Sequence, residues 1–305
     1  MATQTYTLLT NEQKTFYERA LLKRLVPNLV FAQYGQKKAI PKNEGDKINF
    51  RRIGALSAAT TPLTEGTTPD GSSLSVGKVE ATLGQYGDFV TISDKLDMTG
   101  IDPILTDTAE VLGEAAALTV DTIVRDVVCS GTNVQYAGGR ANTDALTAAD
   151  VMTAAEVKKA VRTLRKANAK PMEDGFFVGI VDPETAYDLM GDTLWQDVSK
   201  YNGGEAILKG EIGKLGGVRF VESTNVPVEE NASKVKVHSC MILGADAYGV
   251  VDVEGGSSAE IIVKPFGSAG SADPLDQRAT AGYKLMFTAV RLQELAMLRL
   301  ECAAS

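Results

Sequence analysis

Residues 48 to 131 carry a pattern that a compact monomer cannot easily absorb: two strand-like limbs around a long polar stretch, then one very long amphipathic segment. The first limb, Ile48-Asn49-Phe50-Arg51-Arg52-Ile53, alternates apolar and polar side chains, the period of a half-exposed strand. Lys78 through Ile92 alternates again. Between them lie roughly two dozen residues rich in Thr, Ser, Gly and Pro, a connection longer than compact domains usually hold. Matched limbs on either side predict a projecting hairpin whose edges need a partner.

A single helix is predicted next. Asp102 supplies an N-cap and Pro103 the first helical position, where a missing N–H costs nothing. Glu110 and Glu114 come early and Arg125 late, as the helix dipole favours, and Gly131 is placed to end the helix. Leu105, Ala109, Leu112, Ala116, Val120, Ile123 and Val127 step by three and four along one apolar stripe. About 28 residues make a rod of ~42 Å.

Composition narrows the function. The chain has 305 residues, enough for more than one core, and a net charge of −8 that argues against a nucleic-acid reader needing a basic stripe. Met1 to Thr10 is polar, so no signal peptide is expected, and no apolar run is long enough to span a bilayer. Cys129, Cys240 and Cys302 are far apart among apolar neighbours, so they read as reduced, buried thiols.

Around this feature the chain organises itself. Thr10 starts a short helix with Phe16, Tyr17, Ala20, Leu21 and Leu25 on its apolar face, and Val30 to Lys42 reads as an extended strap. Beyond the long helix, Thr147 with Asp150 reads as a capped N-terminus for a helix carrying Val151, Ala154, Val157, Val161 and Leu164. Strands at Phe176–Val181, Val218–Val221, Val235–Leu243, Tyr248–Val253 and Ile261–Val263 alternate with helices, one of them capped by Asp182-Pro183, giving a mixed α/β unit. From Gly282 to Glu301 the chain returns to strand beside the long helix, which makes the α/β unit an insertion.

Catalytic and metal chemistry find little support. His238 is the one histidine and reads as a core or edge residue; no GxSxG or papain-like cysteine context accompanies it. The Cys and His residues are too scattered for zinc. Asp94, Asp97 and Asp102 lack calcium-loop spacing and read as turn and cap residues. Gly210 to Gly217 precedes a strand, whereas a phosphate loop leaves one, so it reads as a turn. No catalytic residue, cofactor or metal is expected. Arg51, Arg52, Glu65 and Asp70 on the hairpin read as charges that pair with a neighbouring subunit.

Several segments carry a family likeness: Leu29 to Lys38, Ala59 to Gly66, Gln85-Tyr86-Gly87, Gly131 to Gly139, Gly210 to Leu215 with Gly217 to Glu222, and Ala272 to Thr280. Together they resemble the major capsid proteins of tailed bacteriophages and prophages with the Hong Kong 97-type shell fold, most closely a branch among short-tailed phages. The resemblance spans about Phe16 to Glu301. It implies an α+β fold with an N-terminal arm (1–45), an extended hairpin loop (46–95), a peripheral domain with a spine helix (96–145), an inserted axial domain (146–264) and a return to the peripheral domain (265–305).

The implied function is a major capsid protein, self-assembling into pentamers and hexamers of an icosahedral shell around double-stranded DNA held without sequence-specific binding. The expected setting is the virion, after assembly in the host bacterial cytoplasm. Implied partners are further copies of the chain, a portal protein, a decoration protein, and a separate scaffolding protein, unless a scaffolding segment was cut before this numbering starts. Candidate inter-subunit contacts are Phe31, Tyr34, Arg51, Arg52, Thr64, Glu65 and Asp70. Gly35, Gly45, Gly54, Gly84 and Gly87 are candidate hinges, so Gly84→Val or Gly87→Val is expected to impair assembly while the axial domain stays folded. No lysine lies between Lys47 and Lys78, so the isopeptide cross-link some relatives make from a loop-tip lysine is not expected. The rival readings are an encapsulin-like nanocompartment shell, an enzyme with a polar pocket in the α/β unit, and a host-surface binding module.

Overall fold

A computed structural model describes residues 30–41, 44–54, 56–63, 65–66, 68, 71–99, 104–192, 211–253, 259–270 and 273–304. The helix expected from Thr10, the Asp102–Pro103 cap, and Thr64 and Asp70 lie outside them. After a short 3-10 turn at Phe31–Gln33 come β1 (Gln36–Ile40), β2 (Lys47–Ile53), β3 (Val76–Thr82), β4 (Gly84–Ser93), α1 (Asp94–Thr99) and α2 (Ile104–Cys129). Then follow β5 (Val134–Tyr136), α3 (Ala154–Lys166), β6 (Phe177–Val181), α4 (Pro183–Gly191), β7 (Glu211–Leu215), β8 (Val218–Glu222) and β9 (Val228–Glu230). The chain closes with β10 (Lys236–Leu243), β11 (Tyr248–Val253), β12 (Ala259–Lys264), β13 (Arg278–Arg291) and β14 (Met297–Ala303).

The hairpin is present but shorter than its pattern. β2 pairs antiparallel with β3, with Ile53 facing Val76 at the far end. At Leu83 the partner changes, and β4 runs antiparallel along β13 from Ser93 to Gly84. Alternation continues across the break because both halves leave one face in solvent. Period alone therefore reads one limb where there are two.

Two sheets form the body. The first runs β1-β11-β13-β12, with β4 also on β13; the second runs β5-β14-β10-β6-β8-β7, with β9 on β10. These sheets cut across the boundaries expected from the sequence. β11 and β12 pair within the first sheet, while β5 and β14 join the second. No shift of composition marks those crossings, since every strand concerned is apolar on at least one face.

α2 joins both sheets. Its buried apolar side chains include Leu112, Ala116 and Val120 of the expected stripe, together with Ala117, Val124 and Val128. Beyond Val120 the pair Val124 and Val128 replaces Ile123 and Val127, which pack as partly buried flanks. The same cluster takes Tyr283, Leu285 and Phe287 from the first sheet and Ile180, Met241 and Leu243 from the second. The helix ends without a left-handed glycine. Ser130 Oγ donates to Val127 O at 2.9 Å, and the Arg299 guanidinium donates to Cys129 O, where a cation suits the dipole. Gly131 instead makes room: a Cβ there would lie 2.8 Å from Glu294 Oε1, which accepts the Thr132 N–H.

The other face of the second sheet is covered by α3 and α4. α3 begins later than the Thr147–Asp150 pair suggested. Thr153 is its N-cap, accepting from Glu156 N, while Asp150 holds Thr147 N–H at 2.8 Å and Arg140 Nε at 2.9 Å in the preceding loop. Both arrangements use the same residue types, so only the backbone decides between them. Asp182 caps α4 through Glu184 N–H with Pro183 following, as expected. The glycine-rich stretch is a hairpin turn, Gly216 at φ +61° and Gly217 at φ +94°, between β7 and β8.

Candidate functional site

The arm candidates divide. Phe31 is fully buried in its own chain, so it has no surface for a neighbour. Its N–H donates to Asp121 Oδ1 at 2.9 Å and its carbonyl accepts from Tyr248 OH. Asp121 Oδ2 also accepts from Asn225 Nδ2 at 2.8 Å. Burial raises the Asp121 carboxyl above its ordinary value, outweighing the Asn225 and backbone hydrogen bonds that pull it down. A buried aspartate in the middle of a helix stripe was the signal that this segment docks on its own body. Tyr34 is half-buried, with the Arg219 guanidinium 5.9 Å from its ring centroid.

The hairpin is held at its base by a small apolar cluster centred on the Phe50 ring, with Ile48, Val79 and Leu83 packed against it. Phe50 is buried against β11, where a Cβ on Gly249 would lie 2.7 Å from its ring. Ile40, Ala81 and Val251 complete that small cluster, and Lys38 Nζ lies 4.7 Å from the ring centroid. Towards the tip the support ends. Gly54 N–H bonds Ser75 O at 2.9 Å as a last rung, and beyond it residues 56–63 are exposed throughout. Ile53 is 67% and Val76 62% exposed although they face each other, and Leu63 is 76% exposed. Covering these three fully would contribute about 1.5–3 kcal/mol each before association costs. Arg51, opposite Lys78, and Arg52 and Glu65 are exposed, and none makes an ion pair among the described residues.

The hinge candidates sit in three settings. Gly45, at φ +94° in open space, has the backbone freedom expected of a hinge. Gly35, Gly84 and Gly87 are close-approach positions: an added Cβ would meet Tyr248 at 2.6 Å, Tyr86 at 2.8 Å and the Tyr283 backbone oxygen at 2.5 Å respectively. Gly54 lies against Ser75 at the last hairpin rung.

The pattern also hid two features. Phe89 and Ile262 flank Gly282 on the outer face of the first sheet and are both exposed, and Met286, four residues along β13, is exposed as well. His238 is not isolated: its Nδ1 lies 2.8 Å from Asp182 Oδ2 and its Nε2 3.4 Å from Glu184 Oε2, without well-aligned hydrogen bonds. Burial pushes Asp182 up, but contacts with His238 and Thr185 outweigh it and hold the carboxyl below its ordinary value. The three thiols are free and buried, and burial pushes Cys129 up to about 12.

The described residues present exposed apolar limbs, surface suited to contact with other chains. A family model described as phage capsid protein matches residues 76–299. The chain belongs to the phage capsid protein family. Solved capsids share its fold. That of cyanophage P-SCSP1u superposes with a TM-score of 0.68 at 18% identity, covering 91% of this chain and 89% of that one. The capsid of Ralstonia phage GP4 gives 0.70 at 14% identity, covering 89% and 87%. The cyanophage Pam1 capsid gives 0.65 at 16% identity, covering 100% and 95%. No curated protein matches. The capsid protein therefore has a structural role in the virion shell, and no helix among its described residues is long and apolar enough to cross a membrane.

Proposed function

We propose that this capsid protein is the subunit of an icosahedral shell of Hong Kong 97 type, closing into pentamers and hexamers around packaged double-stranded DNA. In this reading the chain before β1 is the N-terminal arm, the β2–β3 hairpin the extended loop, α2 the spine helix, and the second sheet with α3 and α4 the axial domain. A separate scaffolding protein, a portal protein and a decoration protein are its further partners, and assembly takes place in the host cytoplasm. The observation that carries the proposal is the exposed Ile53–Val76 rung, an apolar pair at the end of a projecting hairpin that its own chain leaves uncovered.

The test is assembly of the full chain followed by negative-stain microscopy. Wild type is expected to form rings, tubes or closed shells. Ile53→Asp/Val76→Asp is expected to keep the wild-type melting temperature and remain unassembled. A wild-type chain that stays a compact monomer at high concentration, or a variant that assembles normally, overturns the proposal.

A further inference from the structure

α3 presents a concentrated positive face on a chain of net charge −8. Lys158, Arg162, Arg165 and Lys166 are exposed and line a shallow trough beside Gly216. None of the four has an ion-pair partner among the described residues, whereas Lys159 pairs with Glu156 at 2.7 Å. Like charges three and four residues apart on a helix repel, so this stripe costs the isolated subunit stability.

The opposite end of the same sheet is acidic. β10 spans it: Leu243 pairs with Val178 near the Gly216–Gly217 turn, and Lys236 to His238 pair with β9. Seven residue steps separate these ends by ~23 Å. At the β9 end Glu222, Glu229 and Glu230 are exposed, Glu184 is 57% exposed, and Val228 leaves an apolar side chain among them. Lys234 and Lys236 share this end and offset part of its charge.

We infer that the positive face of α3 docks on the acidic β9 end of the same unit in a second copy, a head-to-tail contact within the ring. The inference rests on the shell reading above and adds its charge pairing. Complementary patches at opposite ends of one unit do not meet their own kind, and repeated contacts of that sort close a ring when the rotation allows. Complementary charge also sets register and speeds encounter, and it weakens at high salt.

The experiment compares full-length chains under conditions where wild type forms particles. Lys158→Glu/Arg162→Glu/Arg165→Glu, which leaves the α3 face net negative, and separately Glu229→Lys/Glu230→Lys, which leaves the β9 end net positive, are each expected to lower particle yield about tenfold or more, because like charges then face each other. Circular dichroism should match wild type and the melting temperature should not fall, since all five side chains are exposed and the α3 change relieves repulsion along the helix. One chain carrying both reversals is expected to assemble again. A mixture of the two reversed chains satisfies every contact only by alternating, so it should restore six-membered rings and not five-membered ones. Normal assembly by either reversed chain overturns the inference, as does failure of the doubly reversed, folded chain. Shells of normal yield but reduced DNA content for Lys158→Glu/Arg162→Glu/Arg165→Glu would assign the face to nucleic acid instead. Absence of particles from wild type would overturn the shell reading itself.

Discussion

Removing the Phe50 ring should free the hairpin while leaving the body folded. A buried Phe→Ala change costs about 3–5 kcal/mol. Only Ile40, Ala81 and Val251 are buried with Phe50 in its cluster, so the low end applies. Losing the Lys38 cation over the ring adds ~0.5 kcal/mol. The sum, ~3.5 kcal/mol, corresponds to a rise of a few hundred-fold in the population of the detached hairpin. Because this cluster is separate from the one around α2, the cost falls on local opening rather than global unfolding. Hydrogen exchange should show amides of β2 and β3 losing protection by that factor, with α2 amides near wild type. Protease should cut within β2 and β3, residues 47–53 and 76–82, correspondingly faster. Unchanged exchange in both strands, or equal loss of protection in α2, would refute the reasoning.

Gly87→Val should destabilise the sheet itself, since a Cβ there would lie 2.5 Å from the Tyr283 backbone oxygen across the β4–β13 pair. Its melting temperature is expected to fall, and a normal melt with selective loss of assembly would count instead for the hinge role. Asp182→Asn should cost stability in a pH-dependent way. The folded carboxyl sits below its ordinary value of 3.8, so its stabilisation is complete above that value and disappears as pH falls through the depressed one. Urea midpoints of variant and wild type should therefore differ at pH 7 and converge in acid, and a difference constant across that range would remove Asp182 from the account.

Much of this was legible because local rules act strongly where the chain has few alternatives. The α2 stripe, the Asp182-Pro183 cap and the alternation of β13 follow from period and capping chemistry, whereas β10, read as alternating, is buried along almost its whole length. Partner identity was not legible. Nothing between Thr82 and Gly84 announces that β3 stays with β2 while β4 joins a strand nearly two hundred residues away. The glycines at 35, 84 and 87 look like joints in the sequence, yet each is filled: Tyr248 and Tyr283 reach Gly35 and Gly87 only through tertiary packing, and the Tyr86 ring lies over Gly84 from two residues along the same strand. Phe31 looked like an outward-facing arm residue because its anchors, Asp121 and Tyr248, are remote in sequence. Within the candidate surface, the Arg51, Arg52 and Glu65 charges were visible as exposed. The apolar rung at Ile53 and Val76 was not, because its exposure depends on how far up the hairpin the support from β11 reaches.

The apolar cluster shared by α2 and both sheets has a mechanical consequence. Bending one sheet against the other would admit water onto Val124, Ile180 and Leu285 together, so the body resists flexure as one stiff block. Differences in curvature from place to place on a shell must then be absorbed outside that block. The compliant part is the β2–β3 hairpin, tethered by the small cluster around Phe50.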